Sequence, residues 1–459
     1  MAKQPDQSAE EERDLNHALA VFREKDRIFT SRYNYYDGNH QIKYSTERLR
    51  KAFEKFDVYF AENWCAVIVN AVLERIGIQG WTVEDNEAAQ LELRNQWAKL
   101  QIQIDAADVH EATVVCGEGF IIAERDQDLG LFYNDPRMCH VFYEAANPKK
   151  KRAGAKVWKG EDGRFRIDLY YPDRISAFVA RKEGKYPKDS REFELLPKES
   201  GSNDFKEVPI FHFRIHRRRI VCDLTKDILS LQDAVNKLVA DLMASSEFDT
   251  FKERIYITQQ NISNLKRAPG MRTRLRPSPQ GIQAADVKEF GGSDLKNFIA
   301  PLDRFANSMA VISRTPRHYF FSAGAGVSGD ALIAMEAPLV AKAETYRESI
   351  GTTWQELGAF MAREMKLNIP PEKIQVSWKP AATVQPLARS QEVVNYTNAT
   401  IPPLSALRIA GHGEDEIKKV KNDMQSGSDQ LTADAKAALE EARNNPLPAE
   451  IGMAVTGKG

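Results

Sequence analysis

Three glycines, Gly324, Gly326 and Gly329, stand at G-x-G-x-x-G spacing within HYFFSAGAGVSGDALIAMEA, residues 318–337. In a dinucleotide fold this spacing lets the backbone approach a pyrophosphate held at a helix N-terminus. That chemistry needs a buried strand before the glycines and a second strand ending in an acid about 20 residues on. Here RHYFF is short, carries two polar residues and comes directly off a helical pattern. Glu344 and Glu348 lie inside a continuous helical pattern rather than at a strand end. A Lys-Ser/Thr pair is missing, which excludes a P-loop, and GVSGD has Asp330 where a G-x-S-x-G nucleophile turn needs its last glycine. The residues read instead as a mobile loop whose glycines, alanines and serines permit many backbone states.

Other chemistry-bearing residues fare no better as an active site. Asp105, Asp108, His110, Glu111 and Glu118 form an acid-histidine cluster, but the second histidine of H-E-x-x-H is missing. The cluster reads as a solvated helix face. Cys65, Cys116, Cys139 and Cys222 are scattered without a C-x-x-C pair and read as four reduced thiols. No catalytic, cofactor-binding or metal-ligating residue is assigned.

Basic residues cluster in three places. Lys149-Lys150-Lys151-Arg152 lies between two strand-like runs and reads as a solvated hairpin turn. Arg214 with Arg217-Arg218-Arg219 precedes a long helix, and Lys266, Arg267, Arg272, Arg274 and Arg276 gather in an irregular segment. Such patches could meet phosphates without reading sequence, or pair with acidic neighbours. No aromatic residue interrupts the third cluster, so it is not a base-stacking platform.

The whole chain is nearly neutral: 64 basic and 65 acidic residues give a net charge of -1, so any charge-based function is local. With 459 residues, 42% hydrophobic and 28% charged, it has the composition of a folded protein of several parts. The N-terminus has no apolar core of a signal peptide, and no apolar run approaches the ~20 residues of a membrane span. A soluble, unexported protein is expected.

The elements that must position these residues follow from periodicity. Residues 1–12 read as a disordered arm and 13–30 as a helix; after the Asp37-Gly38 turn another helix begins near Ser45. Asn63 caps a strong amphipathic helix punctuated by Gly77 and Gly80. A helix over 105–117 gives way to short apolar-aromatic runs between 119 and 215, expected as one mostly antiparallel sheet. Asp227–Phe251 is a helix without Gly or Pro, roughly 37 Å long at ~1.5 Å per residue. RIYIT reads as a strand in a loop-rich module. Ser293–Pro316 is a second long helix, capped at Ser293 and bent at Pro301. Asp330 to about Lys366 is a third, with Pro338 as a kink, followed by the strand KIQVSWKP and shorter helices over 385–445. The fold class is α+β and predominantly helical.

That order, with the stretches YYDGNHQIKY, NWCAVIVNAVLERIGIQGW, VHEATVVCGEGFIIAE, VPIFHF, DILSLQDAVNKLVADLMASSEF and RTPRHYFFSAGAGVSGDALIAMEAPLVAKA, resembles the portal proteins of tailed double-stranded-DNA phages of the long-tailed type. The resemblance covers residues 25–425. It implies the portal fold of wing, stem, clip and crown, and a subunit forming a dodecameric ring at one capsid vertex of the virion, assembled in the host cytoplasm. Residues 13–226 would be wing, 227–251 and 293–313 the stem helices, 252–292 the clip and 314–329 the tunnel loop. Residues 330–384 would return to the wing, 385–445 would be crown and 446–459 a tail. Arg314, Arg317, His318, Ser322, Gly324, Gly326, Ser328 and Gly329 would face double-stranded DNA, and Lys266, Arg267, Arg272, Arg274 and Arg276 would be clip contacts. Implied partners are further copies of the chain, the terminase large subunit, a head-tail adaptor, the major capsid protein and a scaffold, with no membrane, cofactor or enzymatic activity. On the residues alone two rivals stay open: a nucleotide- or NAD-using enzyme built on the glycine loop, and another head-tail connector.

Overall fold

A computed structural model describes residues 5–39, 62–84, 86–217, 219–250, 254–257, 286–289, 295–321, 329–382, 386–410, 417 and 419–426. The chain divides into two compact units, Met1–Ala381 and Ala382–Gly459.

The first unit opens with α1 (Pro5–Tyr36). The arm expected to be disordered is therefore helical from Pro5. Its acids find fixed partners: Asp14 pairs with Arg152 at 2.7 Å, Glu10 with Arg174 at 2.9 Å, and Ser176 Oγ donates to Glu11 at 2.7 Å. Leu15, Leu19 and Phe22 of the same helix are buried against Ala153, Ala155, Ile167 and Leu169. Apolar burial and charge pairing act together here, which composition alone could not reveal. The helix expected near Ser45 lies outside the described residues.

Helix α2 (Trp64–Leu73) starts as expected, with the Asn63 side chain accepting from Ala66 N. It ends earlier than the pattern suggested, because Gly80 belongs to β1 (Ile78–Val83). This strand pairs antiparallel with β13 (Ile374–Trp378), Trp81 opposite Val376, and so ties chain segments almost 300 residues apart. Helices α3 (Glu87–Lys99) and α4 (Ile102–Cys116) follow, the latter buried along most of its length.

The expected single sheet is two. Strands β2 (Glu118–Arg125), β3 (Leu129–Asn134) and β10 (Ile210–Arg214) form a three-stranded sheet in the order β10-β2-β3. A separate six-stranded sheet runs β4 (Cys139–Tyr143), β5 (Lys151–Lys159), β6 (Arg164–Tyr170), β7 (Arg174–Glu183) and β8 (Phe193–Leu195), with β9 (Gly201–Ser202) also on β7. All pairings are antiparallel. Phe120, Ile122, Val141, Tyr170 and Ile210, drawn from both sheets, pack into one cluster between them.

Two further helices pack on each other, α5 (Lys226–Thr250) and α6 (Ile299–Ser313), with Val235, Ala306 and Met309 in the main core. Between them in sequence, β11 (Arg254–Ile257) pairs antiparallel with β12 (Asp286–Glu289). Ser293 lies outside the described residues; a 3-10 turn over Leu295–Phe298 leads into α6. Pro301 falls in the first turn of α6, where its missing N–H has no intrahelical acceptor to lose, so it need not bend the helix. Helix α7 (Gly329–Glu364) runs through Pro338. In the second unit, α8 (Pro386–Asn398) and α9 (Pro403–Ile409) pack together, and 419–426 is helical.

One glycine decides how closely α4 approaches β2. A Cβ built on Gly119 would lie 2.7 Å from Val109 O and 2.8 Å from Val109 Cγ2. Gly119→Ala therefore forces helix and sheet apart. Urea unfolding should show a loss of about 1–3 kcal/mol, the usual cost of overpacking; an unchanged midpoint would mean the contact yields freely.

Candidate nucleic-acid interface and its frame

Ser322, Gly324, Gly326 and Ser328 lie in 322–328, outside the described residues, but the chain on either side is firmly placed. Helix α6 ends at Arg314, which adopts a left-handed φ of 58° as C-cap. The Ser313 carbonyl accepts from Lys342 Nζ at 2.9 Å, a side-chain donor supplying the partner that a helix end lacks. Lys342 in turn pairs with Asp223 at 2.8 Å, and Tyr346 OH donates to the same carboxylate at 2.6 Å. Burial, reinforced by the charge of Asp223, pushes the Tyr346 phenol far above its ordinary range.

Beyond Pro316 a 3-10 turn, Arg317–Tyr319, replaces the strand that a dinucleotide loop would need. Phe320 and Phe321 each meet Trp64 edge-on at 5.5 Å. Arg75, just past α2, donates to Tyr319 OH at 2.8 Å and pairs with Glu336 on α7 at 3.1 Å. The Arg75 and Glu336 side chains are 6% and 13% exposed, so this is a largely desolvated ion pair. The segments flanking 322–328 are thus held by one guanidinium, one from each side.

The flanking cations have different placements. Arg314 is exposed, and Arg317 is exposed and 3.3 Å from Asp303. His318 instead turns its imidazole toward Glu336 at 3.8 Å and is mostly buried, a member of the frame. Gly329 opens α7. Lys266, Arg267, Arg272, Arg274 and Arg276 lie outside the described residues.

The acid-histidine cluster does not converge on a common point. Asp105 accepts from Tyr133 N at 2.6 Å, Glu111 from Tyr36 OH at 3.3 Å, and His110 Nε2 from the Trp354 indole at 2.8 Å. Burial lowers His110 to about 3, so it is a neutral acceptor with its proton on Nδ1. It is a core residue, not part of the solvated face that the pattern suggested. Among the described residues no group of three metal-capable side chains forms. All four cysteines are buried free thiols, and burial pushes Cys139 up to about 12 and Cys222 to about 11, the wrong direction for a nucleophile.

Glu118 has a role that sequence reading missed. It pairs with Lys25 at 2.6 Å and with His212 Nε2 at 3.1 Å, all three buried. Burial opposes its ionisation, but Lys25 and His212 more than offset this and hold the carboxyl below its usual range. A lone charge inside CGEGFII was the available signal; its partners, at sequence distances of 93 and 94, were not legible.

Among the described residues no helix is long and apolar enough to cross a membrane. The family model described as "Phage portal protein, SPP1 Gp6-like" matches residues 21–426. The portal protein of Mycobacterium phage D29 is 22% identical over 382 residues, covering 77% of this chain and 76% of that protein. The portal protein of Mycobacterium phage L5 is 22% identical over 343 residues, covering 69% and 68%.

Two outcomes test this geometry. Arg75→Met leaves Glu336 desolvated without its cation and should cost about 3–5 kcal/mol, read as a lower unfolding midpoint. For His110 the folded pKa lies below the ordinary 6.5, so the unfolded chain takes up the proton first and stability falls as pH drops from 6.5 toward about 3. Each pH unit costs about 1.4 kcal/mol. His110→Gln should flatten that part of the melting-temperature profile; an unchanged slope would show that His110 is not the group responsible.

Proposed function

The chain belongs to the SPP1 Gp6-like family of phage portal proteins, and from that premise we propose that it forms a dodecameric ring at the capsid vertex through which double-stranded DNA passes during packaging and ejection. In this reading 13–226 form most of the wing, α5 and α6 the stem, 252–292 the clip, 314–329 the tunnel loop and 385–445 the crown. The clip, with Lys266, Arg267, Arg272, Arg274 and Arg276, docks the terminase and then the head-tail adaptor, while the wing meets the capsid protein. Energy for DNA movement comes from the terminase, and the portal acts as a structural conduit rather than an enzyme.

The observation that carries the ring is the outward face of α6. Val311 and Ile312 are 79% and 47% exposed, and Ala300, Asp303, Arg304, Asn307 and Ser308 line the same open groove. Residues three and four apart share one helix face, so these side chains make a stripe along α6 that ends where the loop begins. A face of this kind, polar along its middle and apolar at its C-terminal end, is covered when a neighbouring copy packs against it in a closed ring. Small residues at Ser322, Gly324, Gly326, Ser328 and Gly329 suit a lining along which DNA slides, and Arg314 and Arg317 meet its phosphates transiently.

The 3-10 turn ahead of the loop argues against the dinucleotide alternative, because among the described residues, up to Phe321, no strand leads toward the glycines. Negative-stain images of the purified protein test the assembly: rings with a central hole are expected, and monomers under all conditions would overturn it. Deleting 322–328 should leave rings intact but reduce packaged DNA in infected cells. Loss of folding on deletion would instead make the segment part of the core.

A further inference from the structure

Two basic clusters that are 65 residues apart in sequence meet on the surface of the first unit. The turn between β4 and β5 is well ordered: Glu144 N donates to Lys150 O at 2.9 Å, Lys150 N to Asn147 O at 3.0 Å, and Lys149 N to Asn147 Oδ1 at 3.1 Å. Arg214, at the end of β10, joins this turn to the following segment. Its guanidinium donates to Pro148 O at 3.5 Å and to Arg217 O at 3.2 Å, and lies over the Tyr143 ring at 4.3 Å. Downstream, Asp223 N donates to Val114 O at 3.0 Å, which ties the chain down again after Arg219.

The four residues Lys149–Arg152 separate by role. Lys151 is turned in, donating to Ile210 O at 2.7 Å and pairing with Glu356 at 2.6 Å, while Arg152 holds Asp14. Lys150 faces out and shares Glu144 at 2.7 Å. Lys149, Arg217 and Arg219 are exposed, and among the described residues no carboxylate lies within ion-pair reach of them. The expected solvated turn is therefore half right: two of its cations are structural, and the other two join an arginine cluster from elsewhere.

We infer that this combined patch (Lys149, Lys150, Arg214, Arg217 and Arg219) binds the phosphate backbone of duplex DNA without reading its sequence, as a second contact outside the channel. Its composition selects the partner. A protein-binding surface has an apolar core depleted of charge, whereas here the aromatic ring at the centre is covered by Arg214 and the exposed groups are mostly cations, with the large apolar side chain of Ile220 and the carboxylate of Glu144 beside them. Backbone-directed DNA surfaces are strongly positive and polar, and the guanidinium fork fits phosphate oxygens. In a chain of net charge -1, such a patch has no role in a global field. The choice of DNA as the polyanion rests on the proposed conduit function.

The test uses the full-length assembled protein and a labelled, covalently closed duplex minicircle, which cannot thread a closed ring. Binding is measured by fluorescence anisotropy across a salt series. The wild type should bind, and the triple variant Lys149→Gln/Arg217→Gln/Arg219→Gln should lower the log–log salt slope by about 2.7, at about 0.9 per lost phosphate contact. At low salt its affinity should fall at least tenfold, on the order of 1.4 kcal/mol. Arg217→Glu alone should weaken binding in the same direction, which guards against a fold defect in the triple variant. Deleting 322–328 should leave minicircle binding unchanged. The inference is overturned if the wild type ignores the minicircle, if the triple variant keeps its affinity and slope, or if poly-glutamate binds in place of DNA. Monomers that still bind through these residues would sink the ring and leave the patch standing.

Discussion

The indole N–H of Trp354 donating to the neutral ring of His110 is the contact around which the first unit closes. Trp354 is fully buried and meets Trp81, Trp97 and Phe213 at ring distances of 6.3, 5.6 and 4.9 Å. Its own carbonyl accepts from the Trp81 indole at 2.8 Å. One residue of α7 therefore touches α3, α4, β1 and β10 together. The arrangement requires an uncharged His110, because an imidazolium would have no lone pair to accept with and would carry its charge into a dry core.

From that point α7 works as a spine, with each turn tying down a different part of the chain. Thr353 Oγ1 donates to His212 O, Arg347 holds the carbonyls of Arg75 and Lys379, and Lys342 caps α6. Glu336 then reaches Arg75 near the glycine-rich segment. Lys342, Arg347, Thr353 and Trp354 are buried along the inward side of the helix, whereas Ile333 and Met335 near its start are 39% and 41% exposed. A helix that joins the sheets, the core and the residues flanking the glycine-rich segment is suited to hold those flanks at a defined place relative to the two sheets.

The buried ion pairs follow a consistent logic. Lys25–Glu118, Lys342–Asp223 and Arg75–Glu336 each cross between elements distant in sequence, and each carries further hydrogen bonds to carbonyls, hydroxyls or imidazole. Desolvation makes such pairs weak contributors to net stability, but losing one partner is costly, so they penalise misdocked arrangements. They fix which helix meets which sheet while the apolar clusters supply most of the burial energy.

Local signals in the sequence were enough for most of the order of elements, though not for β1 or α3, and for the Asn63 cap, the long helices and the lack of nucleotide-loop context around Gly324, Gly326 and Gly329. Each depends on residues within a few turns, where helical period, side-chain caps and glycine torsions act directly. The same order of stretches carried the resemblance to portal proteins, because a family's succession of elements is written along the chain. Tertiary structure decided the rest. It split one expected sheet into two, made α1 helical from Pro5 through Arg152 and Arg174, neutralised His110, and joined Lys149 to Arg217 through Arg214. All of these are set by partners roughly 65 to 245 residues away, and the energy of burying or pairing a group depends on what surrounds it, which no local pattern encodes.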